Sequence, residues 1–178
     1  MRIIGGTLKG RKFYPPYLSP TRPTTDFAKE ALYNILYNVW DFEGLKFLDL
    51  FAGTGGHSYE FVSRGAARVV SVDAFGESVA YIKKMALEFN VADRLTVVQS
   101  DVFRFIDTCT DEFDIIFAGP PYKLDTLDTI PDYILSRGLL PKGGWLILEH
   151  NPDHDFTGHP NFIDLRKYGT TYFCFFEA

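Results

Sequence analysis

From Lys46 onward the chain alternates short apolar runs with helix-length polar and apolar segments, and this alternation limits its possible folds more than any other feature. The runs are FLDLF (47–51), VVSV (69–72), LTVV (95–98), DIIFA (114–118) and WLIL (145–148), and the helix-length segments end at Gly65, Asn90 and Gly138. A strand that is apolar along nearly its whole length must be covered on both faces, as in a parallel sheet sandwiched between helices. Crossovers between such strands are right-handed, so the expected fold is α/β: a Rossmann-like, doubly wound, seven-stranded, mostly parallel sheet. The last two strands come from the tail, where FIDLRKY and TYFCFFE flank Gly169-Thr170 in a predicted antiparallel hairpin. In the second of these, Tyr172, Cys174 and Phe176 face one way and Phe173 and Phe175 the other. Apolar on both sides, that strand is predicted inside the sheet, with its aromatics as core.

Ahead of the sheet, Arg2–Gly5 and Gly10–Tyr14 read as the short strands of a β-hairpin, followed by the Pro-rich connector YPPYLSPTRPTT. Phe27, Ala31, Leu32, Ile35, Leu36 and Val39 then recur at helical spacing, with Thr25 or Asp26 placed to cap the first turn. The expected division is residues 1–24 as hairpin and connector and residues 25–178 as one compact Rossmann-like domain, long enough to bury roughly 70% of its unfolded surface. No stretch without a Lys, Arg, Asp or Glu exceeds ten residues, far short of the ~18 that a spanning helix needs. The opening MRIIGGTLKGRK has no apolar signal core. Cys109 and Cys174 form neither a metal-type spacing nor a disulfide framework. A cytoplasmic location with no membrane association is expected.

The net charge of −5 argues against a polyanion partner only on average. Residues 1–40 carry six bases (Arg2, Lys9, Arg11, Lys12, Arg22, Lys29) against two acids (Asp26, Glu30). A basic front on an acidic body can hold a nucleic acid locally, because fields add over a patch; it is equally compatible with a solvated hairpin.

Chemistry-bearing residues fall at the ends of the apolar runs. The first run enters Ala52-Gly53-Thr54-Gly55-Gly56, where glycines let the backbone turn sharply and approach a ligand. Ser58 stands at the third glycine position of a dinucleotide fingerprint, so alone the turn fits either a ligand loop or a structural bend. Asp73 closes the second run, spaced to accept both ribose hydroxyls of an adenosine, or else to serve as a loop acid. Asp101 follows the third run, able to accept from an adenine amine or to cap a helix. Gly119-Pro120-Pro121-Tyr122 follows the fourth run. Its prolines hold the backbone extended and remove two N–H donors. The strand-end carbonyls are thereby expected as open acceptors, and Tyr122 offers a flat face for a base. A rigid loop with a packed tyrosine is the plainer alternative.

The order FAGTGG, VD, SD, PPY resembles the Rossmann-like S-adenosylmethionine-dependent amino-methyltransferases. MRIIGGTLKGRKF, RPTTDFAKEALYNIL, LDLFAGTG, EFVSRGAARV and GPPY narrow the resemblance to the RsmD family of 16S ribosomal RNA guanine-N2 methyltransferases, over residues 1 to about 150. The resemblance implies that Asp49, Phe51, Ala52, Gly53, Thr54 and Gly55 wrap the methionine half of S-adenosylmethionine. Asp73 would hold the ribose, and Asp101 and Val102 the adenine. Gly119, Pro120, Pro121 and Tyr122 would receive the guanine. Arg2, Lys9, Arg11, Lys12, Arg22, Thr24 and Thr25 would face ribosomal RNA, in the assembled small subunit, with the protein a monomer and no metal involved.

One departure stands out: the family motif opens with Asp or Asn, and this chain has Gly119. Losing a preorganised acceptor elsewhere costs about 10²–10³ in rate. A weakened enzyme or a cofactor- and RNA-binding protein without chemistry, a substituting carboxylate, or an altered gene each accounts for it. Asp125 is the nearest downstream acid. The same Pro-Pro-Tyr device also serves DNA adenine and protein glutamine methylation, which remain alternatives. His57, His150, His154 and His159 are expected on separate elements without ligand spacing, and Glu149-His150, at the end of the fifth run, either line the crevice or are ordinary strand-end polar residues.

Overall fold

A computed structural model describes residues 1–17 and 23–178. Seven strands form one sheet in the order β3-β2-β1-β4-β5-β7-β6. They are β1 (Lys46–Leu50), β2 (Arg68–Asp73), β3 (Leu95–Gln99), β4 (Ile115–Ala118), β5 (Trp145–His150), β6 (Phe162–Tyr168) and β7 (Thr171–Glu177). The first five pair in parallel. β7 lies antiparallel between β5 and β6, the interior place that its two-sided apolar pattern demands. Phe173 and Phe175 join the core on one face of the sheet, and Cys174 and Phe176 the core on the other.

Helices α1 (Asp26–Val39), α2 (Gly56–Ser63) and α3 (Gly76–Glu88) cover the first face. Helices α4 (Val102–Thr108) and α5 (Ile130–Leu135) cover the second. The stop residues work as the sequence suggests: Gly65, Asn90 and Gly138 all have positive φ just past a helix end, a conformation glycine and asparagine tolerate. Thr25 caps α1, its side-chain oxygen accepting from the Ala28 N–H at 3.2 Å. Strand order reverses between β1 and β4, so the crevice where open α/β sheets bind ligands lies at the carboxyl ends of those two strands.

The N-terminal segment departs from its predicted form. The hairpin is present but short: about the antiparallel bridge of Arg2 with Lys12, the Phe13 N–H donates to the Met1 carbonyl at 3.0 Å, the Ile3 N–H to the Arg11 carbonyl at 2.9 Å and the Gly10 N–H to the Ile3 carbonyl at 2.8 Å. Pairing stops beyond Ile3 because the helix beside it takes the next backbone donors. The Ile4 N–H donates to the Glu60 carboxylate, Thr7 N–H to the Ser63 carbonyl and Leu8 N–H to Ser63 Oγ. Ile3 and Phe13 are buried in the same core as α1 and α2.

Lys29 also differs from expectation. Counted with the basic front, it is 2% exposed, donating to the Arg2 carbonyl at 2.7 Å and lying 4.0 Å from Glu60. Burial drives its pKa down, partly offset by Glu60. Glu60, wholly buried, also accepts from Arg64 at 3.2 Å. This cluster fastens the N-terminal segment to α1 and α2. Removing one member of a buried ion cluster strands the others without compensation, at about 3–5 kcal/mol. Glu60→Ala is therefore expected to lower unfolding stability by that amount in urea melts; a loss within the noise of the melt would show that the cluster is dispensable.

Candidate active site

The glycine loop is built under strong local constraint. Phe51 and Gly53 both have φ near +60°, and Gly55 has φ 83°. A Cβ on Gly55 would fall 2.6 Å from the Tyr59 ring and 3.0 Å from Ile82, so no side chain fits there. Tyr59 in turn donates its hydroxyl to the Thr54 carbonyl at 2.7 Å, fixing the bend from beneath. Asp73, 6% exposed, accepts from the Gly53 N–H at 2.8 Å and the Phe75 N–H at 2.9 Å, one bond per carboxylate oxygen. Each oxygen retains lone-pair capacity. The strand-end acid thus sets the shape of the loop it faces.

Asp49 is buried under α2 rather than lying at the crevice mouth. Ser58 Oγ donates to it at 2.6 Å and contacts Ser71 Oγ. Ser58, the residue at the incomplete fingerprint position, is thus a buried polar tie between α2 and the sheet. Asp101 caps α4, accepting from the Arg104 N–H at 3.0 Å, and is otherwise exposed. The Val102 side chain packs into the core of the second face, which leaves its backbone to meet any ligand.

Across the crevice, the Gly119 N–H donates to the Leu50 carbonyl at 3.2 Å and joins the two strand ends. The expectation of open carbonyls holds only in part. The Pro121 carbonyl accepts from the Leu124 N–H at 2.9 Å, because the chain turns at once, whereas Pro120's accepts no hydrogen bond among the described residues. A Cβ on Gly119 would come within 3.0 Å of the Phe117 ring, which lies 3.9 Å from the His57 ring between centroids. A side chain at 119 therefore requires Phe117 to yield by a few tenths of an ångström.

Two residues outside the predicted site set belong here: Glu149, for which crevice lining is one of two readings, and His57, to which sequence reasoning assigns no role. Glu149, 4% exposed, accepts from the Tyr122 hydroxyl at 2.7 Å and the Thr24 hydroxyl at 2.6 Å. His57 lies 3.0 Å from Thr24 Oγ1 through Nε2 and 3.0 Å from the Tyr33 hydroxyl through Nδ1. Thr24 has one proton and gives it to Glu149, so His57 Nε2 must donate to Thr24 and Nδ1 accept from Tyr33. The available signal was position: Glu149 ends the strand beside the Pro-Pro-Tyr strand. Asp125, the nearest downstream acid, is exposed. His154 and His159 pair instead with Asp128 and Asp132 at 2.7 and 2.8 Å.

Arg2, Lys9, Arg11 and Lys12 are exposed. Arg2 pairs with Asp26 at 3.3 Å, and Arg11 lies over the Phe89 ring. Thr25 is exposed beside Thr24, while Arg22 lies outside the described residues. Among the described residues, no group of three or more His, Cys, Asp or Glu has metal-binding geometry, and no helix is long and apolar enough to cross a membrane.

A family model described as Conserved hypothetical protein 95 matches residues 1–177. The chain belongs to this family. It is the RsmD family of the sequence resemblance, and among its relatives is Ribosomal RNA small subunit methyltransferase D of Escherichia coli K12. That protein is 33% identical over 147 residues, covering 82% of this chain and 69% of the relative. A solved hypothetical protein of Thermus thermophilus superposes with a TM-score of 0.87 at 28% identity, covering 100% of this chain and 99% of that one. A 16S rRNA N2 methyltransferase from Thermus thermophilus, solved with AdoMet and guanosine, gives a TM-score of 0.72 at 22% identity, over 89% of this chain and 44% of that one. At that identity the likeness is one of fold.

Burial pushes Asp49 up to about 7, against the lowering effect of the Ser58 bonds. Burial, with Lys29 nearby, drives His57 down to about 3. Between 3.8 and 6.5, their ordinary values, unfolding releases the Asp49 proton and lets His57 take one up, so their effects on stability offset. In Asp49→Asn only the histidine side remains. Stability of that variant is expected to fall as pH drops from 6.5, by up to about 1.4 kcal/mol per unit. Urea melts across pH check this: a variant whose stability does not fall below pH 6.5 would remove His57 from the account, and a profile parallel to that of the unsubstituted protein would remove Asp49.

Proposed function

We propose that this protein transfers a methyl group from S-adenosylmethionine to the N2 amine of a guanine in small-subunit ribosomal RNA. It acts as a monomer on the assembled subunit. One observation carries the reading: the glycine loop ending β1 and the Pro-Pro-Tyr loop ending β4 face each other at the point where strand order reverses. A donor seat and a base platform thus stand side by side.

The residues present fit the cofactor. The loop that would hold it is fixed in shape, with Gly55 packed against Tyr59 and Ile82, and the adjacent Asp73 carboxylate is held in place by two N–H groups with lone pairs to spare. Asp73 would accept from the ribose hydroxyls, and Asp101 with the Val102 backbone would meet the adenine. When bound, S-adenosylmethionine supplies a methyl group activated by a positively charged sulfur. The chain's own task is alignment. Tyr122 stacks the guanine, a contact worth about 1–3 kcal/mol per base, and the Pro120 carbonyl accepts from the amine N–H and aims the nitrogen. Orientation of this kind can by itself supply several kcal/mol of the barrier reduction. Gly119 contributes no side-chain acceptor, so the rate depends on how well the loop holds the base. Arg2, Lys9, Arg11 and Lys12 supply sequence-independent phosphate contacts, which suit a large folded polyanion.

Under-methylated small subunits incubated with labelled S-adenosylmethionine are expected to yield N2-methylguanosine on digestion of their RNA. Asp73→Ala is expected to weaken cofactor binding roughly tenfold or more in calorimetry, the effect of losing bonds to a charged acceptor. Cofactor and subunit binding without any methyl transfer would instead identify a binding protein disabled at Gly119.

A further inference from the structure

We propose that Glu149 is a positioning residue for methyl transfer, joining the RNA-facing connector to the base-stacking ring so that both are set by one carboxylate. The inference rests on the functional reading above. The β4–β5 register pairs Phe117 with Ile147 and Ala118 with Leu148, so Glu149 stands level with Gly119 on the neighbouring strand. On a pleated sheet it also shares the face to which Phe117 and a Gly119 side chain belong. Its two oxygens take the Tyr122 and Thr24 hydroxyl protons at 2.7 and 2.6 Å.

Both partners are gripped a second time. The Tyr122 carbonyl lies 3.3 Å from His154 Nε2, whose Nδ1 is 2.7 Å from Asp128. Thr24 Oγ1 lies 3.0 Å from His57 Nε2, and the next residue, Thr25, caps α1. Tyr122 is therefore held at its phenol by β5 and at its backbone by the β5–β6 loop, and Thr24 is held by the same β5 residue. Hydrogen bonds to a carboxylate are the strong, directional kind. Where Gly119 offers no acceptor to aim the amine, the orientation of the stacked base passes to the ring and hence to Glu149.

The experiment is a double-mutant cycle on methylation of small subunits, with Tyr122→Phe, Glu149→Gln and the pair. Each single change is expected to lower kcat about tenfold with cofactor Kd unchanged, Glu149→Gln alone also raising KM for subunits because it frees Thr24 of the connector, and the pair to be no worse in kcat than Glu149→Gln alone. In the cofactor-free protein, NMR relaxation of a ¹³C-labelled Tyr122 ring is expected to show a ring freed by Glu149→Gln. Should Glu149→Gln fold poorly, Thr24→Val with Tyr122→Phe supplies the same cycle, since both keep shape and leave the carboxylate in place. Losses that multiply, or single variants with unchanged kcat in an active protein, would overturn the positioning role alone. An unsubstituted protein that transfers no methyl to guanine N2 would overturn the functional reading and the inference with it.

Discussion

The structure depends on the parallel pairing of β1 with β4 at the centre of a sheet buried on both faces. Phe47, Leu48, Leu50, Ile115, Ile116 and Ala118 are almost wholly inaccessible. Such strands tolerate polar groups only at their ends, where the chain leaves the sheet. Function is therefore pushed to the carboxyl edge. The Gly119 N–H bonded to the Leu50 carbonyl is the last rung before the two chains diverge, and every residue assigned to cofactor or base lies at or beyond the ends of the strands on this edge, except Asp49, buried under α2. The crevice is a consequence of strand order before it is a property of any side chain.

Beneath that edge runs a second, polar framework between the sheet and the helices of the first face. Asp49 with Ser58, His57 between Tyr33 and Thr24, and Glu60 with Lys29 and Arg64 are all paired, and of these only Thr24 and Arg64 are partly exposed. Three of these groups, His57, Ser58 and Glu60, come from α2, the helix that begins at the glycine loop. A helix so tied cannot slide or tilt without breaking several buried bonds. The strained backbone at Phe51 and the left-handed Gly55 persist because their surroundings hold them.

How much was legible differs by element. The strands and helix stops followed from patterns within single segments: continuous apolar runs, and glycine or asparagine where a helix had to end. The interior place of β7 followed from apolar residues on both its faces. Asp73 and the Pro-Pro-Tyr loop stood out because the first ends a strand and the second follows one. Lys29 misled, since a lysine in a basic stretch reads as surface until a buried Glu60 from a distant helix is known to meet it. The N-terminal hairpin is shorter than its apolar pattern suggests, because the donors beyond Ile3 go to α2 instead of across the hairpin.

The amino-acid sequence by itself determined the layered sheet, the position of the crevice at the strand ends and the family, because these rest on local periodicity and on short contiguous motifs. Only the tertiary structure decided that Glu149, 125 residues from Thr24 and 27 from Tyr122, bonds to both. It also decided that His57 is a buried, neutral link rather than a surface base. Partnership between side chains far apart in the chain depends on strand register and helix placement, and no local pattern encodes the distance between two groups that meet only when the sheet has closed around them.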